Sequence, residues 1–314
     1  MILLLRFYIP TLIVTRLDFH LNRQRQADPI RQTSSHITPF QWMPPGVAIA
    51  LLILFVWTLS LAIAFTIGAQ SIGPTGCGLL IVWFTFLYTG LFVTGHDAMH
   101  GSIAPANPQL NIFLGRLSLL LYGLIPYEKL HSAHAHHHQF PASHHDPDFH
   151  NGRDTHGVLW YFQFMRRYWT FRQWIGIIVI YNGLHRLLGV PESDLLTFWA
   201  IPSMLSSVQL FYFGTYLAHR QLPDTYSTPL RANSTYWPYL ISLVSCYHFG
   251  YHREHHACPE VPWWRLPQSP QISMADDAIA QLKSAKYKKT ITGGSTFATT
   301  TSPLVKGDRT RLKT

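Results

Sequence analysis

The chain is expected to be an all-α integral membrane protein. About four transmembrane helices in two hairpins should carry a cytoplasmic cap of histidine boxes and interfacial helices. Three observations predict this. The 314 residues are 47% hydrophobic, 14% aromatic and only 12% charged, about half the charge of an ordinary soluble domain. Uncharged runs long enough to cross a bilayer recur along the chain. Histidines gather near the ends of those runs, most densely in His131-Ser-Ala-His-Ala-His-His-His138.

Residues 1–14 are apolar but broken by Arg6 and Pro10, without a small-residue cleavage site, so a secretory signal is not expected. Arg16, Arg23, Arg25 and Arg31 follow. Residues 1–45 are therefore expected as an N-terminal arm, cytoplasmic or, in a plastid-bearing organism, part of a transit peptide. Residues 46–69 carry no charge and suffice for one span at about 1.5 Å per residue. A turn at Gly73-Pro-Thr-Gly76 leads to a second uncharged run, 78–95. The connection has no Lys or Arg, which marks the outer side.

The chain then returns inside where His96 appears. Within the long loop 96–170, residues 110–125 are apolar but short and hold Arg116, which suits an interfacial or re-entrant helix. A third span over 174–188, an acidic turn at Gly189–Asp194 and a fourth span over 195–218 complete the second hairpin. All Lys and Arg except Arg186 then lie inside, as the positive-inside rule requires. Residues 237–249 are apolar but too short to cross. Residues 46–268 form the expected catalytic domain. Residues 269–314 form a polar tail, with Lys283, Lys286, Lys288 and Lys289 on an amphipathic helix before a disordered end.

The formal net charge of +9 raises nucleic-acid binding, but the basic residues do not cluster with stacking aromatics. Anionic lipid or an acidic electron-carrier protein accounts for it better. Cys77, Cys246 and Cys258 have no CxxC spacing, which argues against a disulfide framework or a thiolate zinc site.

His96 and His100, four apart, share a helical face. His134, His137 and His138 share one at i, i+3, i+4, and His252, His255 and His256 repeat that spacing. His219 follows directly on the fourth span. Nine neutral imidazoles at one depth can serve two metals and leave positions open for oxygen. Carboxylates should then orient the rings from behind, and Asp97, Asp146, Asp148 and Glu254 are the candidates. His131, His136, His144, His145, His150 and His248 compete for the same roles. Set 134/137/138 is preferred because it alone reproduces the spacing at 252. Aromatics in 83–92 and 198–216 are candidate walls for an apolar substrate.

Three histidine boxes on such a chain resemble the membrane fatty-acid desaturase and hydroxylase superfamily. Four phrases bring the β-carotene ketolases of bacteria and algae closer: Gly95-His-Asp-Ala-Met-His-Gly101, Asp146-Pro-Asp-Phe-His150, Phe213-Gly-Thr-Tyr-Leu-Ala-His-Arg220 and His248-Phe-Gly-Tyr-His-Arg-Glu-His-His256. Pro-Trp-Trp-Arg-Leu-Pro267 is also similar. The resemblance implies a non-haem di-iron centre of two iron ions, O2 as co-substrate, and a lipophilic carotenoid oxidised to a ketone at C4 of its β-ionone ring. It further implies a ferredoxin-type electron donor, contact with membrane lipid, and no nucleic acid. The product would be echinenone and canthaxanthin, or astaxanthin from zeaxanthin. The membrane would be plasma or thylakoid in a bacterium and plastid in an alga. A ring hydroxylase or acyl-lipid desaturase is the alternative within the superfamily. A histidine-rich metal transporter is disfavoured, because the spans themselves are nearly free of ionisable groups. Where the ketolases often place one more histidine after the second box, this chain has Gln139-Phe140.

Overall fold

Pro45 opens the first helix, at a position where its missing N–H costs nothing. In the computed structural model, residues 44–150, 155–221 and 230–269 are described. The expected arm up to residue 43, and the polar tail beyond Ser269 with its lysine helix, lie outside them; Pro45, expected in the arm, belongs to the first helix. Helix α1 (Pro45–Ile67) stops at Gly68, whose φ of 79° suits glycine. Helix α2 (Ala69–Met99) follows at once. The expected turn is a break at Gly68 and a kink at Gly73 (φ 75°), with Pro74 restarting the helix.

Helix α3 (Pro108–Gly123) lies against α2. Their approach is close enough that a Cβ on Gly115 would sit 2.7 Å from Ala98 Cβ and 2.6 Å from the Tyr127 ring. Asn111 Nδ2 and Tyr127 Oη both donate to the Ala98 carbonyl, at 2.6 and 2.9 Å, which ties α3 and the start of α4 to the end of α2. Leu124 then takes a left-handed conformation (φ 55°), and Pro126 prevents the helix from continuing. Helix α4 (Tyr127–Gln139) leaves at 101° to α3. A bend of that size fits a broken span as well as the interfacial or re-entrant helix expected of residues 110–125.

Helices α5 (Gly157–Tyr168) and α6 (Phe171–Asn182) follow, α6 starting with a Thr170–Gln173 capping box and ending in a π-helical turn, Gly183–Leu187. Helix α7 (Glu192–His219) contains two further π turns. Buried Thr89 Oγ1 of α2 lies 2.9 Å from Ser206 Oγ and 2.8 Å from Gln209 Oε1 of α7. Helix α8 (Tyr239–Cys246) ends in two left-handed residues, Tyr247 and His248 (φ 48° and 61°), which turn the chain into α9 (His252–Ala257).

Among the described residues the secondary structure is helical. Three helices, α1, α2 and α7, are long and apolar enough to cross a membrane, or four if the bent pair α3–α4 is one span. The third span expected over 174–188 is not among them. The helix there has 12 α-helical residues followed directly by 5 π-helical ones, about 25 Å at 1.5 Å each, short of a hydrocarbon thickness of about 30 Å. Hydropathy alone concealed this, since the run is apolar but bracketed by Arg172 and Arg186. The chain nevertheless passes along the length of α2 here. Tyr168 meets Asp148 beside the histidines, whereas Asp194 Oδ1 accepts from the Ala69 amide, 2.9 Å away, at the other end of α2.

Candidate metal centre

Four of these elements deliver histidines to one place. Helix α2 carries His96, with His100 directly after it; the tie at Ala98 brings α4 with His134, His137 and His138 alongside. The last turn of α7 brings His219, and α9 brings His252, His255 and His256. The nitrogens of His96, His100, His134 and His255 lie within 4.8 Å of one another, and so do those of His137, His219, His252 and His256. His138 joins the sets. Its Nε2 is 3.1 Å from His134 Nε2 and 2.9 Å from His255 Nε2, and its ring stacks on His256 at 4.3 Å. All nine expected histidines therefore converge, including the preferred register of the second box.

The nitrogen pattern fits metal ligation better than hydrogen bonding. A ring nitrogen offers one in-plane direction, holding either a proton or a lone pair. His134 Nε2 lies 2.9 and 3.1 Å from those of His100 and His138. His256 Nε2 lies 3.0 and 3.1 Å from those of His137 and His252. One nitrogen cannot serve two such partners. The Nε2 atoms of His96 and His219 are buried with no protein partner. The outward nitrogens are engaged. His137 Nδ1 is 2.9 Å from Asp146 Oδ1, His96 Nδ1 is 3.1 Å from Asp97 Oδ1, and His219 Nδ1 donates to the Arg231 carbonyl at 2.8 Å. Such bonds set the tautomer that leaves the Nε2 lone pair pointing inward. Burial, reinforced by neighbouring imidazoles, holds His252, His255 and His256 well below the usual histidine range, so these rings are neutral donors at pH 7. The donor set suits a borderline ion such as iron.

The carboxylates divide. Asp146 orients His137 and also accepts from the Ala142 amide (2.9 Å). Asp97 orients His96 and accepts from the Trp263 amide (2.9 Å), linking the Pro-Trp-Trp-Arg segment to the first box. Asp148 stands farther off, 3.9 Å from His137 Nδ1, and accepts from the Tyr168 hydroxyl; burial pushes it up to about 6. Glu254 departs from expectation. Rather than backing a ring, it accepts from the hydroxyls of Tyr236 (2.8 Å) and Ser234, because α9 turns its three histidines inward and Glu254 toward residues 231–236. That strap is stitched on both sides, the Asn233 amide donating to Ala218 O and the Thr235 amide to Gly250 O.

Of the competing histidines, His131, His136, His144 and His145 are exposed. His150 packs on Trp160 and His248 lies against Ser242 Oγ at 3.0 Å. Tyr168, Arg231, Ser234 and Tyr236 were not expected at the site. They reach it across 12 to 20 residues of chain without any spacing pattern to mark them. Arg167 is similar, its guanidinium collecting the carbonyls of Asp146, Pro147 and Phe149.

The histidines border a cavity of about 1050 Å³ with predominantly apolar walls, reached by His96, His134, His137 and His252. Of the expected aromatic walls, Phe92, Trp199 and Phe211 line it, while Phe84 and Phe198 are consumed in helix packing.

The model of the Fatty acid desaturase family matches residues 71–187 and 152–278, which include all nine histidines. The chain belongs to the fatty acid desaturase family. Within it, the chain is 38% identical over 218 residues to a beta-carotene ketolase of Paracoccus sp. (strain PC1), covering 69% of this chain and 88% of that one. It is 36% identical over 277 residues to a zeaxanthin 4-ketolase of Chlamydomonas reinhardtii, covering 82% and 60%. A beta-carotene 4-ketolase 3 of Haematococcus lacustris is 41% identical over 199 residues, covering 60% of each. The match thus spans most of the bacterial relative and about three fifths of these two algal ones.

Proposed function

We propose that the chain is a carotenoid 4-ketolase, acting on β-carotene or its 3-hydroxylated relatives. The observation that carries this is the convergence of nine histidines on two four-nitrogen groups beside a large apolar cavity. The ketolase names of its relatives within the family support the substrate class. His96, His100, His134 and His255 would hold one iron and His137, His219, His252 and His256 the other, with His138 between them. Two irons there would supply O2 activation strong enough to attack an allylic C–H.

The protein's own residues do the rest. Asp146, Asp97 and the Arg231 carbonyl orient the rings, and the aromatic cavity walls seat a substrate without polar handles and exclude water. At C4, each of two hydroxylations consumes one O2, two electrons and two protons and releases one water. The resulting geminal diol loses a further water to give the ketone. A ferredoxin-type protein would provide the electrons.

Four membrane crossings in two hairpins, with the histidines on the cytoplasmic face, follow from the charge distribution and from the run between Tyr168 and Asp194. Residues 46–268 would form the catalytic domain, between the arm 1–45 and the tail 269–314. The test is pigment analysis of β-carotene-producing cells expressing the chain. Each ketolated ring should add about 14 mass units, against about 16 for a hydroxyl, by the arithmetic of the bonds exchanged. Products bearing only hydroxyls would replace the ketolase with a ring hydroxylase, and purified protein with zinc alone would overturn the oxygenase.

A further inference from the structure

We propose that Arg167 is a positioning residue for one of the two metals: by gripping the turn Asp146–Phe149 it aims His137 into the group shared with His219, His252 and His256. This rests on the two-metal reading above. Between α4 and α5, residues 140–150 form no helix or strand, so their carbonyls have no helical ladder to satisfy them and turn to outside donors. Helix α5 supplies these. Arg167 Nη1 lies 3.4 Å from the carbonyls of Asp146 and Phe149 and donates to that of Pro147 between them. Trp160 Nε1 donates to the Asp148 carbonyl at 2.9 Å. Four consecutive residues are thereby pinned from one helix.

What the turn carries is the Asp146 carboxylate. Its Oδ1 is 2.9 Å from His137 Nδ1, and its two oxygens also accept from the Asp148 and Ala142 amides, at 2.8 and 2.9 Å. A carboxylate fixes a ring only as firmly as its own backbone is held. Arg167 ties that backbone back to the helix bearing His137, because its own carbonyl accepts from Lys129 Nζ of α4 at 3.1 Å. Helix α4, the turn and α5 close into a frame with Arg167 at the corner. The other group is supported separately: His96 leans on Asp97, which the Trp263 amide holds at 2.9 Å. The Arg167 bonds are charge-assisted, and a glutamine in its place offers only a neutral amide on a shorter stem.

The experiment titrates Co(II), whose absorption bands report the ligand geometry of each site, into purified full-length protein in detergent. Wild type should bind two ions per chain, one at each group. Arg167→Gln should shift the bands of one site and weaken it about tenfold, the low end of the loss for an outer partner of a ligating histidine, since Asp146 keeps its two amides. The second site should change by less than about twofold, and so should the first when Arg167→Gln is added to Asp146→Asn, because residues acting through one another do not add. A residue that merely stabilised the fold would weaken both sites alike and add in full. Should Arg167→Gln fail to fold, Trp160→Phe, which removes the donor to the Asp148 carbonyl, should weaken the same site in the same direction. Equal loss at both sites, full additivity with Asp146→Asn, or unchanged affinity overturns this role for Arg167 and leaves the metal centre standing. Wild-type protein that binds fewer than two ions brings down the two-metal reading, and the role with it.

Discussion

His138 and Asp146 show how differently two neighbouring side chains serve one centre. His138 touches both nitrogen groups, through His134 and His255 on one side and His256 on the other. His138→Ala should abolish ketone formation and lower bound iron to about one per chain or less, because metal affinity depends on the full ligand count; elemental analysis of purified protein checks this. Asp146 makes no contact with the inward nitrogens and acts by fixing the His137 ring. Asp146→Asn should weaken iron binding about 10–100-fold, the usual cost of losing an outer partner of a ligating histidine, as titration with Fe(II) would reveal. Tyr236 lies one step farther out. Tyr236→Phe leaves buried Glu254 one donor short, a loss of about 1–3 kcal/mol, visible as a lower melting temperature. These outer residues were illegible in the sequence. Helical spacing identifies rings on a common face, but nothing local announces that Tyr236 will meet a carboxylate 18 residues away.

At the scale of elements, the spacing i, i+3, i+4 was legible because α4 and α9 are short helices whose histidine faces are also their buried faces. The third span was less so: an apolar run can form a 12-residue helix and a π turn as readily as a full crossing, and composition does not separate them. Asp194 marks where that segment ends. By accepting from Ala69, it caps the N-terminus of α2 from 125 residues away. Asp194→Ala should cost about 0.5–2 kcal/mol, the range for a lost helix cap, measurable as faster unfolding in detergent. Metal affinity should stay unchanged, since the histidines sit at the other end of α2.

For the molecule as a whole, the order of elements and the histidine inventory followed from the sequence, whereas the cavity did not. Its wall combines residues from α1 through α7 and from α9, and such a surface exists only after packing. Binding of iron to the folded state alone should raise apparent stability. Chelation should therefore lower the melting temperature, and restoring Fe(II) should recover it; a melting curve indifferent to iron would detach the histidines from metal.

Both nitrogen groups depend on α9: one needs His255, the other His252 and His256. A growing polypeptide therefore holds no complete group until nearly all of its membrane helices have been synthesised. Any chain cut short before residue 252 should be chemically silent rather than partly active, as pigment analysis of such a truncation would show. On the proposed function, oxygen chemistry would thereby wait until the greasy chamber that must contain it has been enclosed.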